Sequence, residues 1–179
     1  MEFKEYPKIA RLSRNMIITE KIDGTNACIG ISENGELFAG SRNRWLSDKI
    51  DNHGFFKWVL SNKNELMKLG VGYHYGEWWG NGIQRGYGLK QGDKRFSLFN
   101  TTKWSDTTIR PTCCSVVPEL YKGLFDTRII DNCLYSLQLM GSKAAPEYLY
   151  PEGVVIYHEA QGTLFKKTII KDECHKTNQ

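Results

Sequence analysis

No stretch of this 179-residue chain approaches the roughly 20 apolar residues that a membrane-spanning helix needs. The opening run MEFKEYPKIARLSRN is charged from its second residue and lacks the apolar centre of a secretory signal. A cytoplasmic location, in a cell or a virus-infected host, is the expectation. The five cysteines (Cys28, Cys113, Cys114, Cys133 and Cys174) are odd in number, include an adjacent pair and contain no CxxC spacing. That is a poor disulfide framework without the CxxC zinc spacing, and reduced thiols are the expectation. His53, His74, His158 and His175 show no ligand spacing and are assigned no metal. Internal repeats, heptads and low-complexity tracts are missing too. The loop from Gly80 to Gly88 is rich in glycine but lacks the Gly-Lys-Ser/Thr ending of a P-loop. It is expected to be a flexible rim that presents Gln84 and Arg85 to a substrate. Charge of either sign is not in large excess: 24 Lys and Arg against 20 Asp and Glu give +4, compatible with a polyanion partner but too little to establish one.

What the chain does have is enough apolar material, 40% of residues, to bury a core, and a length suited to a single domain spanning 1–179. Met16 to Lys21 reads as a strand followed by the turn dipeptide Asp23-Gly24. Ala27 to Ser32 and Glu36 to Ser41 flank Asn34-Gly35, the signature of a tight hairpin. Between about Asn52 and Leu69 the apolar spacing fits one or two short amphipathic helices ended by Gly70. Further strands are expected at Val71–Trp79, Arg95–Thr102, Gly153–His158 and Thr163–Ile170, with a helix over Asp126–Gly141. Many strands, short turns and two helical regions predict an α+β domain of antiparallel sheets with flanking helices.

The chemistry begins at Glu20-Lys21-Ile22-Asp23-Gly24-Thr25-Asn26, where a lysine ends an apolar strand just before a bend. An amine so placed can be a nucleophile if burial and neighbouring positive charge keep it unprotonated. The short pattern alone equally describes an exposed lysine before a turn. In order there follow Ser41-Arg42, Gly76-Glu77-Trp78-Trp79-Gly80-Asn81-Gly82-Ile83-Gln84, Phe96-Ser97-Leu98-Phe99, Glu152-Gly153-Val154-Val155-Ile156 and Phe165-Lys166-Lys167. With this series, from about residue 16 to 170, the sequence resembles the covalent nucleotidyltransferases, the superfamily of polynucleotide ligases and messenger-RNA capping enzymes. Within it the chain is most similar to ATP-dependent RNA ligases of the second phage type.

The resemblance implies a nucleotidyltransferase (ATP-grasp-like) ligase core that uses ATP with Mg²⁺ or Mn²⁺. Lys21 would form a lysyl-AMP, transfer the AMP to an RNA 5′-phosphate and seal that end to a 3′-hydroxyl. It also implies that Asp23 and Asn26 support the phosphate end of the site and that Glu20 is among the nucleotide-binding residues. Arg42 would meet a phosphate of the nucleotide or of the nucleic acid. Glu77 would accept hydrogen bonds from the ribose, and Glu152 would help hold the metal. An aromatic ring should stack on the base. Phe96 is the better match by spacing and Phe99 the reserve, and strand alternation lets only one of them face the base. The final motif departs from the usual Lys-x-Lys. Of Lys166 and Lys167, which alternation sends to opposite faces, Lys166 is favoured for the site and Lys167 for solvent or nucleic acid. The five tryptophans are expected mostly in core or rim. Only twelve residues follow Lys167, so no C-terminal OB or other accessory domain is expected, and a partner protein that supplies substrate grip fits that shortness. A DNA ligase, a guanylyltransferase or a non-catalytic nucleotide-binding or nucleic-acid-binding module are the alternatives.

Overall fold

A computed structural model describes residues 1–170, 172 and 173; Cys174 and His175 lie outside the described residues. Among the described residues nine strands form two sheets. The first has the order β7-β1-β8-β9, built from β1 (Asn15–Lys21), β7 (Glu119–Leu124), β8 (Gly153–His158) and β9 (Thr163–Thr168), all antiparallel. The second has the order β3-β2-β4-β5-β6, from β2 (Thr25–Ile31), β3 (Leu37–Ser41), β4 (Gly72–Gly80), β5 (Lys94–Leu98) and β6 (Cys114–Val116). Only the β5–β6 pair is parallel, so the second sheet is mixed rather than purely antiparallel. The hairpin expected at Asn34-Gly35 joins β2 to β3, with Gly35 at φ 76°.

Alternation gives each sheet one apolar face. On the first sheet Met16, Ile18, Val154 and Ile156 pack against Leu137 of α4 (Thr127–Met140), whose amino end is capped by the Asp126 carboxylate accepting from the Arg128 amide. On the second, Ala27, Ile29, Trp78, Phe96 and Leu98 form the largest core cluster with Phe55 and Val59 of α1 (Phe55–Ser61) and Leu66 of α2 (Lys63–Leu66). The fold departs from the sequence expectation in two further places. The strand expected over Arg95–Thr102 stops at Leu98, because Asn100 accepts from the Lys103 amide and starts the short helix α3 (Thr101–Trp104). And β6 and β7 fill a stretch for which the sequence suggested no strand.

The chain passes between the sheets twice, at residues 22–24 and 117–118. Ile22 and Val117, one from each passage, are buried in a third cluster with Trp79, Tyr87 and Ala145.

Candidate active site

The faces of the two sheets turned away from their helices enclose a cleft of about 960 Å³. The first sheet lines it with Ile17, Thr19 and Lys21 of β1, Val155 and Tyr157 of β8, and Leu164 and Lys166 of β9. These share one face because Thr19 pairs with Val155, and Val155 with Lys166. The second sheet contributes Glu77 from β4, and Arg42 follows directly on β3; residues 99–103 close one side.

Lys21 is the last residue of β1, with 19% of its side chain exposed, and its Nζ lies 2.6 Å from Oε2 of Glu152, which is 3% exposed. The pair is local to the first sheet: Lys21 sits opposite Gly153, the residue after Glu152. Beyond Lys21 the chain bends at Asp23-Gly24. A Cβ on Gly24 would lie 2.5 Å from the Trp78 carbonyl oxygen and 2.7 Å from the Trp79 Cβ, so a glycine is needed for β2 to start this close to β4. The Gly24 amide donates to Glu77 Oε1 at 3.0 Å, which fixes that carboxylate at the cleft. Burial raises the Glu77 carboxyl to about 7, against the opposing pull of Lys21 and the Gly24 amide. Asn26 lies opposite Glu77 and on its face.

Several expected site residues stand elsewhere. Phe96 is wholly buried in the large core, its ring centroid 5.2 Å from that of Phe55 and 5.8 Å from that of Trp58. It cannot reach a base; of the two expected rings, Phe99, 40% exposed, is the one that lines the cleft, as Phe165 of β9 also does. Alternation along β5 puts Phe99 on the face opposite Phe96, and its amide still donates to the Tyr75 carbonyl of β4 at 3.0 Å. Glu20 borders the cleft, but alternation turns its carboxylate the other way, where it accepts from the Ser142 hydroxyl and the Lys143 and Ala144 amides. It holds a loop rather than a nucleotide, and burial raises its carboxyl despite those three donors. Lys167 points to the α4 face and pairs with Asp131 at 2.5 Å. The Arg85 guanidinium is engaged within the protein. It donates to Asp23 Oδ2 at 2.9 Å and to the Tyr150 and Pro151 carbonyls at 2.9 and 3.4 Å, tying the bend after Lys21 to the segment before Glu152. Gln84 is exposed on the same loop.

The glycine-rich loop is therefore anchored and not a loose rim. Ile83 is fully buried, and Tyr87, also buried and in the left-handed region at φ 52°, accepts the Asp23 amide on its hydroxyl at 2.8 Å. Burial pushes the Tyr87 phenol far up. Tyr87, Ser142 and the 100–103 segment were missed in the sequence. The Asn100 cap was a readable signal for the last of these; the first two depend on contacts between distant segments.

A primary amine, a guanidinium, a second lysine, two carboxylates and an aromatic ring thus converge in one cleft. Comparison with known proteins decides the family: the RNA ligase family model matches residues 14–171. The chain belongs to the RNA ligase family. No curated protein matches it. Among solved structures similar to this RNA ligase chain are three of Naegleria gruberi RNA ligase. An apo mutant has a TM-score of 0.63 at 17% identity over 87% of this chain and 50% of that one. A mutant with AMP and Mn gives 0.61 at 17% identity over 88% and 50%. The form with PPi gives 0.58 at 19% identity over 87% and 50%. The chain spans about half the length of these structures, and the likeness establishes the nucleotidyltransferase-type fold.

Proposed function

We propose that this chain joins RNA ends at the expense of ATP, through an adenylyl group carried on Lys21. The observation that carries the reading is the Lys21–Glu152 pair at 2.6 Å, set in a cleft that also holds Arg42, Glu77, Phe99 and Lys166. In the first step the Lys21 amine attacks the α-phosphorus of ATP. A P–N bond forms, the bond to the bridging oxygen breaks, and pyrophosphate leaves with the electron pair. In the second, an oxygen of an RNA 5′-phosphate displaces the lysine and takes the adenylyl group. In the third, a 3′-hydroxyl attacks the activated phosphate, and AMP departs as the phosphodiester forms.

The side chains suit this sequence. Phe99 offers a flat face to the adenine, and Glu77 offers acceptors to the ribose. Arg42 and Lys166 bring positive charge toward the phosphates from opposite sheets, where charge builds during in-line displacement. Among the described residues no three His, Cys, Asp or Glu side chains gather around a point. Glu152 alone suits a divalent ion bound mostly through phosphate oxygens and water, the habit of Mg²⁺. When bound, Mg²⁺ or Mn²⁺ would neutralise phosphate charge. The Naegleria gruberi ligase structures with AMP, ATP or PPi support the choice of nucleotide.

The test is incubation with α-³²P-ATP and Mg²⁺ followed by a denaturing gel. Label on the wild-type protein and none on Lys21→Ala is the expected result. An unlabelled wild type, equal labelling of the variant, or labelling by GTP in preference to ATP would overturn the reading.

A further inference from the structure

The face of the second sheet that carries Glu77 continues beyond the cleft as a strip of exposed aromatic rings. Tyr73 and Tyr75 lie four and two residues before Glu77 on β4, and therefore on its face. Gly30 stands opposite both Tyr73 and Phe38, so the row extends across β2 to β3. Trp45 is folded back over the sheet by the turn in which the Ser41 amide donates to the Arg44 carbonyl. Its indole rests on two glycines: a Cβ at Gly30 would fall 2.7 Å from the ring, and one at Gly40 3.1 Å. Any larger residue at Gly30 would push the tryptophan off.

The four rings touch in sequence. Centroids are 5.4 Å apart for Phe38 and Trp45, 6.1 Å for Trp45 and Tyr73, and 6.4 Å for Tyr73 and Tyr75. The last two pairs are within 17° of parallel. Yet Phe38, Trp45, Tyr73 and Tyr75 are 39%, 47%, 66% and 54% exposed. Contiguous apolar surface of this kind marks a place where something binds.

We infer that the strip stacks unpaired nucleotides of the RNA next to the end that is joined. The strip leads directly into the cleft through Glu77. The turn that lays down Trp45 also carries Arg42 and Arg44, both exposed and neither in an ion pair among the described residues. Basic groups beside flat rings are what a single strand requires: cations for the phosphates and ring faces for the bases, whatever their sequence. A duplex keeps its base faces inside and offers nothing to stack. The choice of RNA rests on the joining reaction proposed above.

Anisotropy with a fluorescent unpaired oligoribonucleotide, and with a blunt duplex of the same sequence, tests this without ATP. Trp45→Ala and the double variant Tyr73→Ala/Tyr75→Ala should each bind the unpaired strand roughly 5- to 150-fold more weakly, the loss equivalent to one base stack. Duplex binding and adenylylation should be unchanged, and Trp45→Phe should recover most of the affinity. The tyrosine rings are more than half exposed, so the double variant tests the strip even if Trp45→Ala fails to fold. Wild-type affinity in the double variant, equal losses on strand and duplex, or a dimer in sedimentation that the substitutions disperse would each overturn the inference. A protein that binds unpaired RNA through the strip but takes no label from ATP would sink the ligase reading alone.

Discussion

Replacing Phe96 by alanine removes a ring from a packed cluster and should cost about 3–5 kcal/mol of stability. Replacing Phe99 empties a place on the cleft wall, so its expected effect is a loss of ATP affinity of roughly 5- to 150-fold with little change in melting. Thermal melts and ATP titrations of the two variants check this together. A Phe99→Ala protein that melts like Phe96→Ala while binding ATP normally would contradict it. That the two rings face opposite ways was legible in the sequence from alternation. Which one faces the cleft was not, because the answer turns on which face of β5 packs against α1. Arg85 carries a similar lesson: a basic residue in a glycine-rich loop looks like a substrate contact, yet its fork joins Asp23 to two backbone carbonyls from a segment some 65 residues away.

The strands with strong alternation or a clear turn, β1 to β4, β8 and β9, and the amphipathic α4 were readable within a residue or two. The strands β6 and β7 were not. β6 has three residues and owes its existence to parallel pairing with β5, and β7 is a half-buried edge strand whose register with β1 slips between Ile18 and Thr19. Such elements are specified by partners far off in sequence. The loop after α4 is of the same kind, since Glu20 holds it from β1. Glu20→Ala would leave the Ser142 hydroxyl and the Lys143 and Ala144 amides without that acceptor. At about 1–3 kcal/mol for each buried group left unsatisfied, the variant should lose several kcal/mol. Urea unfolding measures this, and a midpoint equal to wild type would refute the role given to Glu20.

For the molecule as a whole, the raised carboxyl of Glu77 makes stability depend on pH in a stated direction. The unfolded chain gives up that proton near 4.5, whereas the folded protein keeps it until about 7. Between those values the folded state binds the extra proton, so stability falls as pH rises through the window and stays lower above it. The Glu20 carboxyl, also raised by burial, acts in the same sense. Glu77→Gln keeps an acceptor for the Gly24 amide and removes the charge. Its melting temperature relative to wild type should therefore gain more at pH 8 than at pH 5. Equal gains at the two values would show that Glu77 ionises normally in the fold.

The two chain passages between the sheets lie side by side on the floor of the cleft, where Ile22 and Val117 both line it and share one buried cluster. They act as the spine of a book whose covers are the sheets. Lys21, Glu152 and Lys166 belong to one cover, and Arg42 and Glu77 to the other. Arg85 ties the covers together, since from the loop after β4 it reaches Asp23 in the spine and the Tyr150 and Pro151 carbonyls beside Glu152. The groups proposed for the nucleotide thus come from both sheets, and their spacing is set by the packing of this spine.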